Sequence, residues 1–214
     1  MKIPLLMALA GFAISSAAYA QAPSPALPAI EPAPLQADEV TVSPESAIYP
    51  PELVQAGVQG NTTITALLKP DGTTEQVSVK ETSRSAKLDE IAVTIVKRLR
   101  YKARESASAT PLTILVPVEF RKDTLAGLLQ KTCADLNTDL AYFTATFPER
   151  RPSELKFFKL ATGALYLAQV PADKIGFAKG LQGRYANTIT GCAAQPGQKV
   201  FDVFRQASEP APGK

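Results

Sequence analysis

The stretch that most restricts the fold is residues 62–81. Residues 62–68 (TTITALL) alternate and are β-branched, with Thr62, Ile64, Ala66 and Leu68 on one face. Pro70-Asp71-Gly72 follows, and each residue suits a turn. Proline presets φ, aspartate bonds its own backbone, and glycine takes the left-handed position. Residues 75–81 then return as a strand with Val77 and Val79 on one side. The spacing predicts a β-hairpin.

What flanks the hairpin extends the pattern. Before it, Tyr49-Pro50-Pro51 leads into a short helix over 52–56 that stops at Gly57, since proline is tolerated in a first helical turn. After it, residues 87–99 (KLDEIAVTIVKRL) place Leu88, Ile91, Ala92, Ile95 and Leu99 on one helical face. Asp89 and Glu90 sit early and Lys97, Arg98 and Arg100 late, which suits the helix dipole. Residues 112–120 (LTILVPVEF) predict a last strand. Pro117 has no ladder donor there, so the strand is expected at a sheet edge or bulged.

The expected order is therefore helix, strand, strand, helix, strand in an antiparallel sheet, an α+β fold. That order resembles the TonB C-terminal domain family over residues 48–122. The matching features are Tyr49-Pro50, Gly57 and Gly60, Pro70-Asp71-Gly72, Leu88-Asp89, Arg98-Leu99-Arg100-Tyr101 and Val116-Pro117-Val118-Glu119-Phe120. Asn61 departs from the family, which usually has valine there. The resemblance implies recognition of an extended segment of an outer-membrane transporter, or another envelope protein or peptide, by strand addition to the last strand. The partner-binding residues would be Thr113, Ile114, Leu115, Val116 and Val118, a row of unpaired backbone groups if the edge is free. The alternative is an edge blunted by Pro117 or covered by the helices that follow.

The N-terminus carries a different message. Met1-Lys2, the apolar run 3–14 and the small residues Ala18 and Ala20 form the pattern of a cleaved signal peptide over 1–20. The competing reading is an uncleaved inner-membrane anchor facing the periplasm. Residues 21–34 (QAPSPALPAIEPAP) hold a proline every few positions and predict an extended linker, which we extend to residue 47. As polyproline II, residues 21–48 would reach ~90 Å at about 3.1 Å per residue. A cleaved, short-tethered module is expected in the periplasm as a binding protein. An uncleaved one would be a TonB-type energy transducer for outer-membrane transport.

Beyond residue 122 the sequence reads as helices. Leu125, Leu128, Leu129, Cys133, Leu136, Leu140, Phe143 and Phe147 predict one long apolar stripe. Further helices are expected over 154–169, 172–190 and 199–206, giving a small all-α domain at 123–207 and a disordered tail at 208–214. Cys133 and Cys192 are the only two cysteines in the chain. In an exported protein an even count predicts a disulfide between them, the alternative being two buried thiols.

Composition narrows the function. The chain of 214 residues has no histidine, which removes Ser-His-Asp and Cys-His nucleophiles and histidine-ligated metals. A net charge of +3 gives no nucleic-acid footprint. No metal, no small-molecule cofactor and no catalytic residue is expected. Asp135, Asp139 and Glu154 are the best carboxylate candidates for an enzyme, but their spacing places them on solvated helix surfaces.

Overall fold

A computed structural model describes residues 35–44, 46–101, 111–168 and 174–207. The expected signal segment, the expected linker through residue 34, residue 45, residues 102–110 and 169–173 and the expected tail lie outside these residues. The elements are β1 (Leu35–Gln36), β2 (Val40–Val42), α1 (Pro51–Gln55), β3 (Gly60–Leu68), β4 (Thr74–Glu81), α2 (Ala86–Arg98) and β5 (Leu112–Phe120). Then follow α3 (Cys133–Thr146), a 3-10 turn (Pro152–Glu154), α4 (Lys156–Ala168), α5 (Lys174–Ala194) and α6 (Val200–Gln206).

The α+β order holds. β3 pairs antiparallel with β4 and with β5, the latter in unbroken register from Gly60↔Phe120 to Leu68↔Leu112. The turn between β3 and β4 works as its residues dictate. Asp71 accepts hydrogen bonds from the Thr73 backbone and hydroxyl, and Gly72 has φ +82°. Ile64, Ala66, Ile114, Val116 and Val118 project from one face of the sheet. There they meet Leu88, Ala92, Ile95 and Val96 of α2, whose N-terminus Ser85 caps through its side chain. Tyr49 closes this core edge-on against Phe120, and its hydroxyl donates to the Val58 carbonyl.

Two expectations need correction. The sheet is mixed rather than antiparallel, because β1 and β2 join it parallel to β5. Both strands fall in the stretch expected to be linker. Furthermore, the apolar stripe is not one helix from Leu125: α3 begins at Cys133, and Leu125 and Leu129 are exposed. Lys131, Thr132 and Cys133 are bonded to the chain at 198–200, by Cys133 N–H to Gln198 O, Val200 N–H to Lys131 O and a bridge of Thr132 with Lys199. Backbone committed there cannot continue a helix. Thr132 instead opens α3 as a capping box with Asp135.

The helices enclose a second core of Leu136, Phe143, Leu155, Phe157, Phe158 and Phe204 with their neighbours. Cys133 and Cys192 are joined by a disulfide, tying the start of α3 to α5. Both cores lie in one compact unit spanning Ala33–Lys214. The helices dock at Gly57, where a Cβ would stand 3.0 Å from the Asp139 Cα and Thr138 carbonyl of α3. At φ +72°, glycine serves both the turn and this close approach. Arg84 reaches across to the Thr146 carbonyl and Glu149, and its guanidinium lies over the Phe147 ring.

Candidate strand-recognition edge

The residues expected to receive a guest strand, Thr113, Ile114, Leu115, Val116 and Val118, lie on one continuous strand. That strand is not at the sheet edge. The order is β1-β5-β3-β4, with β2 also on β5, so β5 is flanked on both sides. Ile114, Val116 and Val118 bury their side chains in the core, whereas Thr113 and Leu115 project from the other face. The helical part does not cover the edge; the chain's own residues 35–42 do.

The outer side of β5 can be read bond by bond. Leu115 accepts from the Ala37 N–H, and Arg121 donates to the Val42 carbonyl. Strand periodicity then turns the backbone groups of odd-numbered residues outward, toward β1 and β2, and those of even-numbered residues toward β3. Pro117 is odd-numbered. Its missing donor falls in the gap between the Gln36↔Leu115 and Val40↔Val118 pairs. The proline expected to mark an edge marks instead the break between two short covering strands.

The cover is unevenly seated. Val42 is 4% exposed and belongs to the core, while Leu35 is 54% exposed and β1 pairs over two residues only. The opposite edge of the sheet is β4. It is a poor template, since register shifts interrupt its pairing and Gln76 has φ 48°. Glu75, Lys80 and Glu81 add exposed charge along it. Bulges and charges of this kind discourage strand addition.

Charged groups tie the sheet to the helices near the end of β5. Glu119 accepts from Arg121 Nε at 2.8 Å and from Lys156 of α4 at 3.1 Å. Partial burial pulls its carboxyl upward, but these two cations outweigh it and hold it below the usual carboxylate range. Deeper in, Asp139 meets Lys122 at 2.6 Å and also Lys131, which in turn reaches Asp123 at 2.5 Å. Burial is the largest influence on Lys131 and pulls it down, yet Asp123 and Asp139 hold its ammonium above its ordinary value.

Asp139 was expected on a solvated surface. It is fully buried, because its partners come from outside its helix and bring the compensating charge with them. Asp135 serves the α3 cap and Glu154 pairs with Arg150 and Arg151. The three candidate carboxylates thus have separate duties and do not converge on one site. Among the described residues no group of three or more His, Cys, Asp or Glu is placed to hold a metal, and no helix is long and apolar enough to cross a membrane.

No curated protein and no solved structure matches the chain. The family model described as Gram-negative bacterial TonB protein C-terminal matches residues 45–121. That span contains α1, β3, β4, α2 and β5 and leaves out β1, β2 and every helix beyond β5. Residues 45–121 are therefore similar to the TonB C-terminal domain, and this chain adds its own covering strands and helices to that core.

Proposed function

We propose that the chain is an exported periplasmic protein, cut after Ala20, that binds an extended segment of an envelope protein by strand addition at the outer side of β5. A TonB-dependent outer-membrane transporter is the partner that the family favours. The reading is of a binding module rather than a catalyst. One observation carries it: β5 already receives an extended segment there, in parallel, supplied by residues 35–42. The guest would take the place of β1 first, where the two-residue ladder and exposed Leu35 make the weakest hold. Backbone bonds would give affinity, and alternate side chains would give selectivity.

The test is site-specific photocrosslinking in envelope fractions, with the crosslinker at Thr113 on β5 or at Ser78 on β4. Adducts from Thr113 alone, competed away by an unlabelled transporter segment, are expected. Adducts from Ser78 alone would move the recognition edge to β4. Sequencing the mature N-terminus checks the export step: a start at Gln21 is expected, whereas an intact Met1 would favour a membrane-anchored transducer.

A further inference from the structure

A cavity of about 340 Å³ lies where the end of the sheet meets the helices. Gln59 and Arg121 line it from the sheet side, and Phe143, Phe147, Arg150 and Lys159 from the helical side. Its charges do not balance. Arg121 and Lys156 share Glu119, Arg150 takes Glu154, and Glu39 stands 3.9 Å from Arg121. Lys159, exposed on the rim, has no ion pair among the described residues, so the cavity keeps a cationic surplus.

Two side chains there are placed as donors. Gln59 is 7% exposed, and its Nε2 has no hydrogen-bond partner. A buried N–H without an acceptor is costly, and a bound acceptor would remove the cost. Arg150 lies over the rings of Phe143 and Phe147, at 5.2 and 5.5 Å from their centroids. Its bond to Glu154 uses Nε, so that carboxylate does not occupy the terminal nitrogens. A stacked guanidinium beside an orphaned amide donor in a cationic cavity suits a carboxylate. The volume is near the lower end of ligand sites, so the carboxylate must sit on a small body.

We infer that this cavity binds a small carboxylate, either a free organic acid or the C-terminus of a peptide. It gives the helical extension a role, since the sheet alone supplies only half of the wall. The inference does not rest on strand exchange at β5. It does share Glu39 with the covering segment, whose removal would raise the positive surplus.

Nuclear magnetic resonance titration of the whole chain tests it, using benzoate and acetyl-alanyl-alanine, each beside its amide. Both acids should shift the Gln59 side-chain amide and the backbone amides of Asn61 and Arg121, while neither amide should. A response to benzoate alone assigns the site to free organic acids, and a response to the peptide alone assigns it to chain termini. Lys159→Glu should weaken binding and Glu39→Gln should tighten it, each roughly two- to fivefold as for exposed ion pairs. Both positions are on the surface, so folding is not at stake. Equal shifts from acid and amide, no shift at millimolar acid, or unchanged affinity in both variants would overturn the inference.

Discussion

The sheet and the helices of this chain are closed by different means. From Gly60↔Phe120 to Leu68↔Leu112, β3 and β5 are joined by backbone ladder, and α2 lays one apolar face across them. Among the described residues between Cys133 and Gln206 there is no such ladder. A disulfide links α3 to α5, Phe157, Phe158, Tyr185 and Phe204 pack edge and face, and buried Lys131 binds two buried aspartates. The first region should therefore tolerate loss of single side-chain links, and the second should not.

Asp139→Ala is the most severe way to break that contrast. It leaves buried Lys131 with Asp123 alone and part-buried Lys122 without its Asp139 partner, and losing one partner of such a cluster costs about 3–5 kcal/mol. Denaturant unfolding should show that loss; a change below about 1 kcal/mol would mean the cluster behaves like a surface pair. Replacing Cys133 and Cys192 by alanine comes next. The disulfide spans 59 positions, and loop-closure entropy sets its contribution at about 4 kcal/mol as an upper figure. Amide exchange should accelerate in α3 and α5 while β3 and β5 stay protected. Equal acceleration in the sheet would make the two regions one cooperative unit.

Gly72→Ala probes the sheet region instead. A Cβ there would stand 2.1 Å from the Tyr101 carbonyl oxygen, on backbone at φ +82°. The strain should cost about 1–3 kcal/mol and appear in the β3–β4 hairpin before the helices. A smaller effect is expected from acid. Hydrogen bonds from Thr82 and Ser83 hold Asp89 below its ordinary value against the upward pull of partial burial, and Glu119 is held low by Arg121 and Lys156. A carboxyl lowered by folding stabilises the fold above its unfolded value, and the contribution is lost as pH falls through the folded one. Stability should thus decline below about pH 4, and Asp89→Asn should flatten that decline.

The sheet region was the more legible because its signals are local. Pro70-Asp71-Gly72, the alternation from Thr62 to Leu68 and the stripe through Leu88 and Ile95 each act within a few residues and agree with one another. β1 and β2 were not legible. Two and three residues are too few to show a period, and their pairing partners lie 78 or 79 positions downstream. Pro117 was read as a sign of an edge, which the missing donor explains, but not that the same chain would cover it on both flanks. In the helices, the stripe from Leu125 has the right spacing and the wrong structure, because backbone pairing with residues 198–200 overrides it. Asp139 was misplaced for a similar reason: its lysines are distant in sequence from its own face of α3.

The central claim, that residues 35–42 occupy an edge built to receive a strand, has a direct measurement. A fluorescent peptide with the sequence of residues 35–42 (LQADEVTV) is titrated against the unmodified chain and against Ala37→Pro, which deletes the N–H that bonds Leu115. The peptide should bind the variant roughly fivefold more tightly, the equivalent of one hydrogen bond of about 1 kcal/mol. Equal affinity for the two chains, or no binding to either, would contradict the claim.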